Sequence, residues 1–269
     1  MSTYESSRAA PYPEQHSRES NGHRNGDASL EWRDRTRIFL QPVAAPSILG
    51  LFGFASSTFM VAAFLAGWYG QKQGNVAVLS NLAPFCLFFG GLAQLLAGMW
   101  CYKARDGLGT AVHGMWGAFW MGFGILMILA GAGVLHLVAT GAGGNQMVPF
   151  SYWFYTLAGL TGATFIVAMF KNAGVASVLF ALACGSACVA IGYSTGVLTW
   201  TRVGGYALVA SAGLAVYTAT AMMLEESVGR VVLPIIRFPF TKREGMKPGE
   251  VLSRPQAYEQ GMPGSRIGQ

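Results

Sequence analysis

The stretch P-S-I-L-G-L-F-G-F-A-S-S-T, residues 46–58, decides which fold this chain can adopt. It opens the first long apolar run, directly after a polar and basic segment, and it sets Gly50 and Gly53 beside aromatic and hydroxyl side chains. In a soluble helix each glycine costs about 1 kcal/mol relative to alanine. In a membrane helix, small residues let neighbouring backbones approach closely. The stretch therefore predicts the start of a membrane helix that faces other protein, with Phe54 directed towards a passage.

The distribution of charge extends this prediction to the whole chain. Of the 269 residues, 52% are hydrophobic and only 11% are charged, against about 25% charged in soluble domains. Asp106 is the only carboxylate between residues 35 and 224. A soluble domain needs charge on its exposed faces, so one large membrane domain is predicted at 42–236. The polar segments 1–41 and 237–269 are predicted to be disordered tails.

Six apolar runs lie within the predicted membrane domain. Each comes near the ~20 residues that a helix needs to span a bilayer, and the second is interrupted by Pro84. The prediction is an all-α integral membrane protein with a six-helix bundle. The runs are 48–68, 76–102, 110–138, 152–170, 175–193 and 204–224.

The positions of lysine and arginine orient these six spans. With both termini on the cytoplasmic side, 16 of the 18 basic residues fall on that side, and only Lys72 and Arg202 fall on the other. This asymmetry satisfies the positive-inside rule. Because the basic residues flank apolar runs, the net charge of +6 does not indicate binding to nucleic acid.

Small residues recur at four-residue spacing and predict helix–helix contacts. One row, in the sixth run, is Ala207, Ser211, Ala215 and Ala219. The fourth run pairs Ala158 with Gly162 and Gly159 with Ala163. A compact bundle requires some such rows and a ring-shaped oligomer more. The 36 glycines favour the oligomer, although spacing alone does not separate the two.

No motif in the chain indicates an enzyme, a metal site or a cofactor. The sequence has no HExxH motif and no phosphate-binding glycine loop, and its four cysteines form no CxxC pair. Neither does it have a pair of intramembrane carboxylates for acid–base work. Transport is therefore the function that remains for a membrane domain of this composition.

The polar groups inside the runs are the candidates for a transport passage. Asn81 and Gln94 cannot satisfy their amides as readily as a hydroxyl can, so they are either interhelical contacts or pore lining. Ser57 and Thr58 are weaker candidates, since hydroxyls bond to their own helix backbone. His113 begins a buried stripe with Trp116, Trp120 and Phe123, and it is either a packing residue or a titratable group at the passage mouth. The sequence leaves these alternatives open.

The chemistry of this lining suits a small solute with one polar end and one carbon end. A broken or unwound helix start at 46–53 is expected to offer free N–H groups and a positive dipole end, which favour an anion. A small monocarboxylate is therefore predicted ahead of a cation. Leu49, Gly50 and Gly53 of this helix start are included among the substrate-binding candidates.

Four segments together resemble the acetate uptake transporter family. They are LGLFGF at 49–54, GGLAQLLAG at 90–98, GAFW at 117–120 and GRVVLP at 229–234. Their order and the six-span frame match over about residues 42–236. The resemblance implies a six-helix protomer, a homo-hexamer in the membrane and a separate passage for acetate-like anions in each protomer. It also implies a constriction made by Phe54, Trp116 and Leu182.

The sequence departs from the family pattern at three places. Ala45 stands where the family has an asparagine, Trp116 replaces the tyrosine of the constriction, and Cys101 lies near the position of a glutamate in some members. These changes predict a reshaped entrance and a selectivity that differs from that of acetate and succinate carriers.

The function predicted from the sequence is a plasma-membrane transporter or channel for small monocarboxylates, with acetate first and succinate second. If transport is coupled to protons, His113, Glu225 and Glu226 are the candidate carriers, and Glu226 is spaced to pair with Arg230. We expect membrane lipid to surround the six spans. The alternatives are a channel for neutral solutes such as urea, amides or ammonia, and a membrane scaffold or sensor.

Overall fold

The computed structural model describes residues 43–70, 76–135 and 148–235, and every regular element in these ranges is helical. The first helix, α1, covers Pro46–Leu65. The second span, 76–103, consists of a 3₁₀ helix at Val76–Asn81, α2 at Ala83–Phe85, a π-helix at Cys86–Ala93 and α3 at Gln94–Lys103. The remaining helices are α4 at Gly107–Gly131, α5 at Val148–Ala168, α6 at Ala173–Thr195 and α7 at Leu198–Val228.

These elements confirm the predicted all-α membrane bundle with six spans. Within the described residues, five helical stretches are long and apolar enough to cross a membrane: α1, Ala83–Lys103, α4, α6 and α7. The aromatic-rich α5 carries no charged residue. Its 21 residues extend about 32 Å at 1.5 Å per residue, which matches the ~30 Å hydrocarbon core. The predicted tails 1–41 and 237–269 lie outside the described residues.

The helix ends differ from the predicted apolar runs by several residues. The sixth run was predicted at 204–224, whereas α7 covers Leu198–Val228 and includes Arg202, Glu225 and Glu226. An apolar run marks only the part of a helix that contacts lipid. The helix itself extends into the polar interface, because its backbone hydrogen bonds can also form there. At the start of α4, Asp106 caps Gly107 onwards by accepting a bond from the Gly109 N–H at 3.0 Å.

The predicted break at the start of α1 is wrong, and the irregular helix is the second span. Pro46 occupies the first helical position, where its missing N–H costs nothing and its fixed φ suits a helix, so α1 is continuous through Gly53. In the second span Pro84 removes a backbone donor. The chain passes there from 3₁₀ to α to π geometry within 18 residues, 76–93.

The six spans form a ring in chain order. α1 packs against the second span and against α7, α4 packs against the second span, and α6 packs against α5 and α7. α4 and α5 make fewer contacts with each other than any other neighbouring pair of spans. At the turn from α6 to α7, Gly196 adopts a left-handed conformation with φ 75°, which allows α7 to begin two residues later.

Small residues mark the tight helix contacts, as predicted. A side chain at Gly117 would lie 2.7 Å from the Leu95 nitrogen, and one at Gly204 would lie 2.8 Å from the Gly185 carbonyl. In α7, Ser211 is fully buried and its hydroxyl donates to the Val178 carbonyl of α6 at 2.9 Å. Gly159 of α5 is different, because it is exposed with open space beside it. That row lies on the outside of the described protomer.

Candidate functional site

An internal cavity of about 50 Å³ lies at the end of the bundle where α1, α4 and α6 begin. Its walls come from those three helices, α3, α7 and the turn between α5 and α6. About 10–15 Å³ is needed for each water-sized group, so the cavity has room for a molecule of about four non-hydrogen atoms. Most of the lining is aliphatic, and its polar members are Ser47, Gln94, His113, Lys171 and Asn172.

The three predicted constriction residues meet at the inner end of this cavity. Phe54 and Leu182 line it directly, and Trp116 packs edge-on against Phe54 with ring centroids 5.9 Å apart. Each of the three side chains is 3% exposed or less. A cavity that ends on fully buried rings and a leucine is closed in this conformation, so a solute can pass only if these side chains move.

Trp116 is held in place by a neighbouring helix. Its indole N–H donates to the Thr161 hydroxyl of α5 at 3.1 Å, and both residues are buried. The N–H therefore does not face the cavity. The ring of Trp116 packs against Phe54, and its polar group ties α4 to α5.

Beyond Trp116, away from the cavity, the bundle is filled by an aromatic cluster that we call the aromatic plug. The predicted stripe residues Trp120 and Phe123 belong to it, and successive rings lie 5.1–6.4 Å apart, mostly in edge-to-face contact. Such contacts add to the stability gained from burial alone. The aromatic plug comprises Phe119, Trp120, Phe123, Phe150, Phe154 and Tyr193.

Gln94 and His113 are the buried polar side chains of the cavity wall. Gln94 is fully buried and His113 is 3% exposed. Neither the amide of Gln94 nor Nδ1 of His113 has a hydrogen-bond partner among the described residues. Gly50 makes room for the imidazole, since a Cβ there would lie 2.4 Å from Nδ1. Buried polar groups normally find partners, so an amide and an imidazole left open beside a cavity indicate a place for a ligand.

The position of Gln94 follows from the π-helix before it. The π segment ends at Ala93, and the next residue, Gln94, begins α3. π-helical turns are rare and often occur at functional sites, because the extra residue per turn changes where the following side chains point. Gly53 allows this segment to approach α1, since a Cβ at Gly53 would lie 2.5 Å from the Phe89 carbonyl.

Several predicted site residues lie away from the cavity. Ser57 and Thr58 are buried, and neither belongs to the cavity lining. Ser57 packs beside Gly90 instead. Leu49 is 45% exposed on the outer surface. Asn81 is exposed at the end of the 3₁₀ helix.

The predicted acidic candidates also lie outside the cavity. Glu225 and Glu226 are exposed near the end of α7, and Glu226 forms no ion pair with Arg230. Both side chains therefore contact the surroundings rather than a solute in the cavity.

The cavity wall also includes Lys171 and Asn172, which the sequence did not indicate as site residues. Lys171, in the turn between α5 and α6, lines the cavity and forms an ion pair with Asp106. The neighbouring Asn172 lines it too and caps α6 by accepting from the Val175 N–H at 2.8 Å. The sequence did hold one signal, because Asp106 is the single carboxylate between residues 35 and 224. Its partner Lys171 is 65 residues away and could be identified only from the fold.

The described residues offer no evidence of a metal centre. In the ranges 43–70, 76–135 and 148–235, no group of three or more His, Cys, Asp or Glu side chains could hold a metal ion. The four cysteines in those ranges are free thiols.

Comparison with known proteins places this geometry in a family. A model described as the GPR1/FUN34/yaaH family matches residues 34–240. Over 197 residues the chain is 26% identical to the succinate-acetate/proton symporter SatP of Escherichia coli strain K12, covering 72% of this chain and 95% of that protein.

Two further matches concern the fold and an alternative substrate. The solved structure of the bacterial acetate channel SatP superposes with a TM-score of 0.62 at 24% identity, covering 72% of this chain and 99% of that one. This likeness concerns the fold. Ammonia transport outward protein 2 of Saccharomyces cerevisiae is 38% identical over 85 residues, which is 32% of this chain and 28% of that protein.

Proposed function

Since this chain belongs to the GPR1/FUN34/yaaH family, we propose that it is a membrane transporter or channel for small monocarboxylate anions, with acetate as the leading substrate. Succinate is the second candidate, as in the relative described as a succinate-acetate/proton symporter. The resemblance found in the sequence at four separate segments supports the same assignment.

The observation that carries this proposal is the match between the cavity and a small carboxylate. The volume of about 50 Å³ suits an ion of about four non-hydrogen atoms, which is the size of acetate. Phe54, Leu182 and the aliphatic walls would face the methyl group. The open amide of Gln94, the imidazole of His113 and the Lys171 ammonium would face the carboxylate.

Coupling to protons would distinguish a symporter from a channel. The relatives carry both descriptions, one as a proton symporter and one as a channel. In this chain His113 is the titratable side chain inside the bundle that contacts the cavity. It is therefore the proposed proton-linked residue. Glu226 is a weaker candidate because it is exposed at a helix end.

Uptake into proteoliposomes tests the proposal. Purified protein is reconstituted, and the entry of radiolabelled acetate is measured with and without an inward proton gradient. We expect uptake above that of protein-free liposomes. Stimulation by the gradient would indicate symport, and equal rates would indicate a channel. Acetate entry no faster than in protein-free liposomes would contradict the proposed function.

A channel for ammonia is the second candidate, and the yeast relative described as an ammonia transport protein favours it. The paired ammonium at the cavity, Lys171, gives no advantage to a neutral solute, which ranks this candidate second. The same liposomes, loaded with a pH-sensitive dye, would report ammonia entry as internal alkalinisation. Ammonia entry without acetate entry would reverse the ranking.

The proposed setting is a homo-hexamer in the plasma membrane. The outer surface of the protomer supports membrane burial, because large apolar side chains such as Phe85 and Tyr152 are 61% and 69% exposed. Open glycine positions on the same surface, at Gly122, Gly159 and Gly162, would let a second copy approach closely. The number six rests on the family resemblance.

A further inference from the structure

The ion pair between Asp106 and Lys171 joins two loops at one end of the bundle. Asp106 lies between α3 and α4, and Lys171 lies between α5 and α6. The Lys171 nitrogen is 2.5 Å from Oδ2 of Asp106, and the two side chains are 29% and 13% exposed. Lys171 lines the cavity and Asp106 does not, so the pair lies where the cavity meets the surface.

This end of the cavity is positive for reasons beyond Lys171. Residues from three helix N-termini line it: Ser47 at the second position of α1, Gly109 at the third position of α4, and Asn172 at the cap of α6. The N-terminus of a helix carries roughly half a positive charge and exposes N–H groups. The open amide of Gln94 and Nδ1 of His113 lie further along the same wall. An anion entering here would meet Lys171, these helix N-termini and then the polar groups of Gln94 and His113.

Asp106 already offers Lys171 a carboxylate, which is the same group that the proposed substrate carries. A carboxylate oxygen is the partner of the ammonium in both cases, so the two carboxylates compete for the same donors. The competition is reversible without disturbing α4, because the other oxygen of Asp106 accepts from the Gly109 N–H. The lysine has a flexible four-carbon stem, which allows its ammonium to follow an incoming anion towards the cavity.

We propose that Lys171 is the anion-recruiting residue of this cavity and that Asp106 competes with the transported carboxylate for it. Lys171 raises the affinity for an anion, and Asp106 lowers it, so that the substrate is released again. The inference rests on the proposed function, since it concerns the same cavity, but it adds two residues with opposite effects. A pair that served only to hold the two loops together would show no such opposition.

The test compares initial rates of acetate uptake by proteoliposomes over a range of concentrations. Lys171→Gln removes the charge and is expected to raise KM about twofold to fivefold, the range for a partly exposed ion pair. Asp106→Asn frees Lys171 and is expected to lower KM by a similar factor. Asparagine caps a helix as well as aspartate does, so α4 keeps its start. Lys171→Arg keeps the charge and should leave KM close to the unsubstituted value.

The outcomes separate the possibilities. Opposite shifts in KM for Lys171→Gln and Asp106→Asn, with rescue by Lys171→Arg, support the inference. Shifts in the same direction, or no shift in either variant, overturn it and leave acetate transport intact as the proposed function. If the unsubstituted protein takes up no acetate, the proposed function fails, and this inference fails with it. Uptake of neutral acetamide, measured in parallel, should not respond to either substitution; an equal response would overturn the role of charge.

Discussion

The orientation of Trp116 at the proposed constriction depends on Thr161, a residue that lies outside the constriction. The indole N–H is bonded to Thr161 of α5, and the ring edge meets Phe54 of α1. Turning the ring away from the cavity would leave a buried donor unpaired, at a cost of about 1–3 kcal/mol. A tyrosine at this position would instead present a hydroxyl, which both donates and accepts. The tryptophan therefore makes the constriction more apolar and ties it to a second helix.

Removing the ring of Phe54 should widen the passage. Phe54→Ala leaves space between the cavity and Trp116, since Phe54 lines the cavity and its ring touches the indole. We expect propionate, butyrate and lactate to enter proteoliposomes faster relative to acetate than they do with the unsubstituted protein. The measurement is the ratio of initial uptake rates for each larger acid and acetate.

The control for this substitution is Phe59→Ala on the same helix. Phe59 is 47% exposed and packs against Trp68 rather than the cavity. The ratio should be unchanged in this variant. Equal ratios for Phe54→Ala and the unsubstituted protein would mean that Phe54 does not limit the size of the solute.

The π-helix of the second span requires glycine at two positions where it packs against its neighbours. A Cβ at Gly90 would lie 2.2 Å from the Ser57 hydroxyl and 3.1 Å from the Trp120 ring. A Cβ at Gly91 would lie 2.6 Å from the Met121 side chain. The segment is thus pressed against α1 and α4 at once, and it can hold Gln94 in the cavity wall only at this separation.

Gly90→Ala should destabilise the protein by about 1–3 kcal/mol, the usual cost of forcing extra atoms into a packed interior. The expected result is a lower temperature of unfolding in detergent, together with slower acetate uptake because Gln94 is displaced. Gly213→Ala on α7 is the matched control, since no neighbouring atom lies within 4 Å of its added methyl. A Gly90→Ala protein as heat-resistant as the Gly213→Ala protein would show that the second span can shift freely.

Within the ring of six spans, the contact between α4 and α5 is the smallest. Three features cross that contact: the bond from Trp116 to Thr161, the edge-to-face contact of Phe119 with Phe154 in the aromatic plug, and the ion pair of Asp106 with Lys171. The residues proposed to control passage therefore also hold α4 and α5 together.

The oligomer is the prediction that belongs to the whole molecule. Light scattering of the detergent-solubilised protein should give six times the mass of one chain. Gly159→Leu adds a bulky side chain to an open outer position of α5, and it should reduce the assembled mass if this face meets a neighbouring copy. A monomer in the unsubstituted protein, by light scattering and by cross-linking in membranes, would contradict the proposed hexamer.

The sequence predicts those parts of this structure that depend on composition along the chain. Long stretches without carboxylates predicted the membrane domain, the apolar runs predicted the six spans, and the small residues at four-residue spacing predicted the contacts of α7. The resemblance of short motifs named Phe54, Trp116 and Leu182 as one constriction, which no spacing rule could do across three helices, and that role stays a prediction.

Other features depend on contacts that the sequence does not display. Hydropathy is the same for an α-turn and a π-turn, so the irregular second span and the placement of Gln94 were not predicted beyond the break at Pro84. Asn81 was a reasonable lining candidate by polarity, but it lies exposed at a helix end. Lys171 was assigned to orientation alone, because its partner Asp106 is 65 residues distant.

The open amide of Gln94 and imidazole of His113 have a consequence for the empty protein. Each buried group without a partner lowers the stability of the fold by about 1–3 kcal/mol, and a ligand that bonds to both would return that free energy. If the proposed substrate binds there, it is also a folding ligand, and the temperature of unfolding should rise with acetate concentration.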